Sequence, residues 1–333
     1  MHEAKWYLNI NDYIKCILCS HYCIIKDDKS GVCKVRKKIG NKLYTFVYGT
    51  ELSMAIDPIE KKPLYHFYPK SEILSFGTPG CNFHCDFCQN YSLSQSTVTN
   101  SHKIEITPQN IIDLVNQYKV KFIAYTYNEP TIFGEYLYDV SMLARTNGKK
   151  NVIVSNGYFA KETREELLQF VDAANIDLKS ISKKFYSKIV GGKLNSVLEN
   201  LIWLKTKTKI WLEITYLIIP NYNDSIEEFK NYAKWIKDNI GIDTPIHLNA
   251  FHPDYKICDT EPTSVKTLLL AKDYFQKEGI KYIYLGNKYI ENSQNTYCHN
   301  CGELLIKREG YNTKKFITSN NCPNCNSVIP GHF

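Results

Sequence analysis

The sequence predicts an α/β fold built on a parallel sheet, and two observations carry that prediction. Short apolar runs alternate with longer helix-like stretches through the middle of the chain, and nothing repeats at a fixed period. Twelve cysteines, eleven of them in three groups, divide the 333 residues into an N-terminal four-Cys lobe (1–70), a central βα region (71–290) and a C-terminal tail (291–333).

The strands come first. Residues 73–78, 122–126, 152–155, 174–178, 210–217 and 246–251 are apolar runs of the length of buried strands, and 281–285 fits a seventh. Helices are expected between them over 108–118, 132–147, 161–171, 195–205, 225–239 and 263–278. Thr107 offers a cap before Pro108 in the first turn, and Ser225 precedes Glu227 and Glu228, acids that suit a helix N-terminus. At least six βα units fit a full or partial TIM-like barrel, with an open doubly wound sheet as the alternative. In both, chemistry belongs at the C-terminal ends of the strands.

Composition narrows the function. With 44% hydrophobic residues there is ample material for a core. No apolar run reaches the roughly 18 residues of a membrane span, and residues 1–11 show no secretory segment. A soluble cytoplasmic protein is expected. The net charge of +7 rests almost wholly on lysine, since only four of 41 basic residues are Arg. Dispersed lysines read as a solvated surface rather than a nucleic-acid track. In a cytosolic chain, grouped cysteines point to metal rather than to disulfides. Cys258, alone, is assigned no role.

Cys81, Cys85 and Cys88 directly follow the first expected strand, after Gly80. Three thiolates in so compact a loop can hold three irons of a cubane cluster and leave the fourth open. A structural zinc would want four ligands, and His84 within the loop is the extra candidate. The motif resembles that of the radical S-adenosylmethionine (SAM) superfamily, and Phe87 matches the aromatic position before its third Cys. The resemblance implies a partial TIM-like (β/α)6 barrel and a [4Fe–4S] cluster on Cys81, Cys85 and Cys88. It further implies SAM bound at the unique iron, and an electron donor such as reduced flavodoxin or ferredoxin. Reductive cleavage of SAM to a 5′-deoxyadenosyl radical, which abstracts hydrogen from a substrate, is the implied chemistry.

Other strand ends match the same superfamily in part. Tyr127-Asn128-Glu129-Pro130 stands where a Gly-Gly-Glu-Pro-like segment contacts the SAM amino group; Glu129 and Pro130 match, Tyr127 and Asn128 depart. A polar turn capping the next helix is the alternative. Ser155 and Asn156, before Gly157, stand where related enzymes contact the ribose, and a plain Asn-Gly turn is the alternative. Asp177 and Lys179 share a strand face and resemble an Asp-x-Lys pair near SAM in glycyl-radical activases; a strand-end ion pair fits as well. Glu213 and Thr215 share a face that could be the barrel interior. His252 is placed to reach the adenine, against a structural role.

A closer resemblance runs through most of the chain. Cys16-Ile17-Leu18-Cys19-Ser20-His21-Tyr22-Cys23, Asp57-Pro58-Ile59-Glu60-Lys61-Lys62-Pro63, Cys88-Gln89-Asn90, Phe251-His252-Pro253-Asp254-Tyr255 and Tyr284-Leu285-Gly286-Asn287 resemble the AmmeMemoRadiSam system radical SAM enzyme. That group is similar to pyruvate formate-lyase activating enzymes. The resemblance implies Memo-type and AMMECR-type partners. A protein substrate, as for an activase, stands beside RNA or a small molecule, and a non-catalytic docking scaffold is the alternative of another class.

The flanking cysteines form two closed sets. Cys298, Cys301, Cys322 and Cys325 make two CxxC knuckles, the pattern of a zinc ribbon, with rubredoxin-like iron as the alternative. Cys16, Cys19, Cys23 and Cys33 have spacing Cys-x2-Cys-x3-Cys-x9-Cys, which fits zinc and an auxiliary iron–sulfur cluster equally.

Overall fold

The computed structural model describes residues 1–50, 52–98 and 105–333. Its centre is a sheet of β1 (Ser53–Pro58), β2 (Glu72–Gly77), β3 (Phe122–Tyr125), β4 (Lys150–Ser155), β5 (Ala173–Asp177), β6 (Trp211–Ile218), β7 (Ile246–Ala250) and β8 (Ile283–Gly286). The strands lie side by side in chain order. β1 runs antiparallel to β2, and every later neighbour is parallel. A doubly wound sheet reverses its strand order at a switch point; this one never does. All crossovers step the same way, so their right-handedness lays the helices on one face. Seven parallel strands replace the expected six, because the apolar run at the end of the series pairs fully with β7. The sheet is open among the described residues, with β1 and β8 at its edges. β1 belongs to this sheet although it lies before residue 71.

The strands form where buried, near-continuous apolar runs occur; all four residues of β3 are buried. The helices are α1 (Pro108–Gln117), α2 (Gly134–Thr146), α3 (Leu194–Lys207), α4 (Ile226–Asn239) and α5 (Val265–Lys277). Thr107 accepts from Asn110 N in a reciprocal capping box, and Ser225 accepts from Glu228 N. The helix expected over 161–171 shrinks to Arg164–Leu167. The N-terminal segment holds this turn: Trp6 Nε1 donates to Glu166, Lys5 pairs with Glu166, and Thr163 Oγ1 donates to the Ile17 and Leu18 carbonyls.

Residues 2–45 form two small antiparallel sheets whose Trp6, Ile14, Leu18 and Val35 join the main core. Gly134 is required where this lobe meets α2: a Cβ there would lie 3.0–3.1 Å from Trp6, Leu18 and Leu167. A buried ion pair crosses the same boundary, Arg36 to Glu135, at 2.7 and 2.8 Å. Among the described residues no helix is long and apolar enough to cross a membrane.

The C-terminal strands Thr296–Tyr297, Leu304–Glu309 and Asn312–Lys315 form a separate sheet with its own small core. Each of its cysteine knuckles ends on a left-handed residue, Gly302 (φ 77°) and Asn326 (φ 60°), which turns the chain back. The knuckles bring Cys298 to 3.6 Å from Cys325 and Cys301 to 3.7 Å from Cys322. All four sulfurs lie within 4.8 Å of one another. Four sulfurs about 2.3 Å from one tetrahedral ion would sit about 3.8 Å apart, so this set fits a single ion. Arg308 fastens the sheet to the rest of the chain by donating to the Tyr65 carbonyl and stacking 4.1 Å over the Tyr65 ring. His66 bonds the Pro330 carbonyl and Tyr284 Oη, and burial pushes its pKa down to about 4, so it docks neutral. A metal ion held by these four thiolates would stabilise so small a sheet. Stripping that ion with a strong chelator is expected to raise the rate of proteolysis within residues 291–333 by about tenfold or more, with the central sheet's far-ultraviolet signal kept. An unchanged cleavage pattern after measured metal release would refute the dependence.

Candidate active site

The C-terminal ends of β2 to β7 open into one cavity of about 580 Å³. Cys81, Cys85 and Cys88 stand in its wall with Phe87, Asn128, Glu129, Ser155, Asn156, Asp177 and Lys179. Thr215 lines it too. The tertiary structure thus brings together residues up to 134 positions apart in the chain.

The cysteine loop is shaped by its neighbours. Gly80 adopts φ 89°, and a Cβ there would fall 2.7 Å from Val35 and 2.8 Å from the Cys33 carbonyl. Asn128, which departs from the superfamily pattern, turns out to be the staple of the loop. Its Oδ1 accepts from Thr78 N at 3.2 Å, and its Nδ2 donates to Thr78 Oγ1 and to the Gly80 carbonyl at 3.1 and 2.8 Å. Asn90 Nδ2 donates to the Tyr127 carbonyl from the other end of the loop. Asn156 Nδ2 donates to Asn82 Oδ1 at 2.8 Å.

The donor set suits a cluster of soft metal. Phe83 N donates to Cys81 Sγ at 3.3 Å, and Ser94 Oγ sits 3.1 Å from Cys88 Sγ. Burial pushes the Cys85 thiol up to about 12 despite Lys179, and pushes Cys81 well above the usual thiol range. Such thiols ionise when a metal centre supplies positive charge. His84 is not in the cavity wall, and its Nδ1 is bonded to Gln95 Oε1 at 2.7 Å.

Glu129 is buried, and burial raises its pKa against the pull of four donors. Thr131 N, Thr131 Oγ1 and Ser155 Oγ donate to Oε1; Asn156 N donates to Oε2. The carboxylate therefore ties the turn after β3 to the turn after β4, a positioning task. Pro130 opens the 3-10 turn Pro130–Phe133 and is buried outside the cavity wall. Ser155 lines the cavity but spends its hydroxyl on Glu129.

Lys179 pairs with Asp177 at 3.0 Å and lies 5.6 Å from the Phe87 ring centre. Burial works against its charge, but Asp177 and Cys85 outweigh it and raise the pKa. A cation is thus kept beside the cysteine loop.

One expectation fails. His252 is exposed, bonded weakly to the Pro253 carbonyl, and not in the cavity wall. β7 ends at Ala250, Phe251 turns inward, and the next side chain faces solvent. Glu213 is fully buried and accepts from Tyr65 N, His66 N, Trp211 Nε1 and His247. It anchors the 65–66 loop and does not face the cavity. Among the wall residues that were missed are Asp57 and Asn175. Asp57 accepts from Lys62 at 2.7 Å and Tyr127 Oη at 2.9 Å, and these charges hold its pKa at about 2 against burial. Asn175 accepts from Thr215 and donates to the Pro63 carbonyl. Cys258 is exposed and is in none of the three cysteine groups.

Comparison with known proteins agrees with this geometry. Residues 76–236 match the family model described as the radical SAM superfamily. An uncharacterized protein of Methanocaldococcus jannaschii is 42% identical over 333 residues, covering 99% of both chains. The pyruvate formate-lyase 1-activating enzyme of Escherichia coli K12 is 21% identical over 225 residues, covering 62% of this chain and 89% of its own. A radical SAM methyltransferase from Sphaerobacter thermophilus shares the fold at TM-score 0.52 and 12% identity, over 72% of this chain and 71% of its own. The cysteine loop, the strand-end cavity and these relatives agree, and the chain belongs to the radical SAM superfamily.

Proposed function

We propose that this chain binds a [4Fe–4S] cluster through Cys81, Cys85 and Cys88 and uses it to cleave SAM. The observation that carries this reading is a three-thiol loop, one ligand short of a closed set, in the wall of a polar cavity at the strand ends. When bound, the cluster supplies the electron that splits SAM into methionine and a 5′-deoxyadenosyl radical, which removes hydrogen from a substrate. The chain's own residues orient and shield. Asn128 and Asn156 hold the loop. Lys179, beside Cys85, keeps positive charge where the thiolates must form. The polar groups around Asn128, Glu129 and Asn156 suit the amino and ribose groups of SAM. The sheet, single-wound and open, suits a partial barrel whose mouth is this cavity.

The substrate in this reading is a protein or peptide, as for the activases to which the chain is similar. The segments shared with the AmmeMemoRadiSam system enzyme support Memo-type and AMMECR-type partners in the cytoplasm, and reduced flavodoxin or ferredoxin as electron source. The C-terminal four-Cys set holds zinc. The test is anaerobic: reconstitute the protein with iron and sulfide, add dithionite and SAM, and quantify 5′-deoxyadenosine. Formation of 5′-deoxyadenosine that depends on the cluster supports the reading. Its absence from protein with an intact cluster sinks it.

A further inference from the structure

The N-terminal cysteines carry a second inference, because they differ from the C-terminal set in a way that spacing alone does not reveal. Cys16, Cys19, Cys23 and Cys33 line one small pocket whose remaining wall is largely aliphatic, including Leu18, Ile25 and Ile132. Among the described residues, the C-terminal four are the set whose sulfurs close to within 4.8 Å; the N-terminal four line a small pocket and are held farther apart. A single tetrahedral ion would pull its sulfurs into contact. A cubane stands between its ligands and keeps them apart.

An independent feature points to an anionic occupant. Arg36 lines the same cavity and is 2% exposed. Its two terminal nitrogens are spent on Glu135, and its buried Nε has no partner among the described residues. A buried N–H without an acceptor costs about 1–3 kcal/mol. Sulfide or thiolate in the cavity would accept it.

The site also has a direction. Its inner side touches the catalytic loop: the Cys33 carbonyl packs against Gly80, the residue before Cys81. His21, two residues after Cys19, bonds the Asn82 carbonyl at 2.7 Å and packs on Tyr158, which in turn packs on Phe83. Its outer side carries the exposed Val32, and the segment around it exposes Lys26, Lys29 and Lys34 with Asp27 and Asp28, lysines in excess of acids by one. That face suits an acidic protein carrier.

We propose that Cys16, Cys19, Cys23 and Cys33 hold a second [4Fe–4S] cluster, which relays electrons from the lysine-flanked face to the cluster at Cys81, Cys85 and Cys88. The relay half of the proposal rests on the radical SAM reading; the metal half does not. One electron passes from a low-potential one-electron carrier to the N-terminal cluster, taking it from the 2+ to the 1+ state. It then passes to the catalytic cluster as the first returns to 2+. No bond or proton moves.

The test starts with the full chain in which Cys81, Cys85 and Cys88 are all replaced by Ala. After anaerobic reconstitution it is expected to keep about four iron and four sulfide, and to show a reduced-cluster electron paramagnetic resonance signal. Zinc in place of sulfide would overturn the proposal, whatever the fate of the catalytic reading. Should that variant not fold, the unaltered protein decides. About eight iron and eight sulfide, with SAM altering only one of two reduced-cluster signals, supports a second cluster; about four iron and a single signal overturns it. For the relay, Cys16→Ala/Cys19→Ala protein with its catalytic cluster intact is reduced by flavodoxin hydroquinone or by dithionite. Reduction by flavodoxin is expected to slow about tenfold or more, with dithionite reduction unchanged. Equal flavodoxin rates with and without the N-terminal cysteines would overturn the relay.

Discussion

Cys85→Ala is expected to lower 5′-deoxyadenosine formation at least about a thousandfold, a loss of about 4 kcal/mol in transition-state stabilisation. Cys85 is buried in the loop and lines the cavity, so its thiolate has no substitute nearby. His84, within the loop, lies outside the cavity wall with its Nδ1 held by Gln95. Two thiolates cannot hold a cubane, and the remaining site should lose its iron. Removing one sulfur from a loop cut to a methyl costs about 1 kcal/mol of packing, so circular dichroism should change little. The control is Cys258→Ala, which alters an exposed thiol and should leave turnover unchanged. Turnover near the unaltered level in Cys85→Ala would remove the cysteine loop from the chemistry.

Glu129→Gln is expected to destabilise the protein by about 3 kcal/mol and to weaken SAM binding about tenfold or more. The carboxylate is buried and accepts four hydrogen bonds, three at one oxygen and one at the other. A Gln can accept with only one end. In either orientation its amide nitrogen meets a backbone N–H of Thr131 or of Asn156, and a donor is left facing a donor. The turns after β3 and β4 then lose their common anchor, and with them the position of Asn156 against the cysteine loop. Chemical denaturation and equilibrium SAM binding read the two effects separately. A variant as stable as the original would show that the carboxylate is not the anchor the hydrogen bonds make it.

Much of the fold was legible because buried parallel strands announce themselves as uninterrupted apolar runs. β2 to β8 each fall within two residues of the expected spans at both ends. Helix starts were legible where the cap is local, as at Thr107 and Ser225. The stretch 161–171 was misread because its helical pattern is interrupted by distant partners, Lys5, Trp6 and the carbonyls of Ile17 and Leu18. Local pattern carries no record of such contacts.

The site divides along the same line. Cys81, Cys85 and Cys88 were readable because a metal motif needs its ligands close in sequence. Asp177 and Lys179 were readable because period-two alternation puts them on one face. Asn128 looked like a departure from the superfamily pattern, and only its contacts with Thr78 and Gly80 reveal its work. Glu213 could be placed on an interior face from alternation, but its role as an anchor shows only in its contacts with Tyr65, His66, Trp211 and His247. His252 looked placed for a ligand, and the inward turn of Phe251 sends it outward.

By itself, then, the sequence determined the alternation of strands and helices, the three cysteine groups and the open loop among them, since each is a matter of neighbours in the chain. Tertiary structure decided the winding of the sheet, which strand-end residues share one cavity, and which carboxylates are anchors. It also separated two four-cysteine sets that spacing leaves alike: one closes its sulfurs to 3.6 and 3.7 Å, the other holds its sulfurs farther apart around a small pocket beside Arg36 Nε, which has no partner among the described residues. The reason is physical. Spacing limits how near two sulfurs can come, but the packing around them sets how far apart they are held.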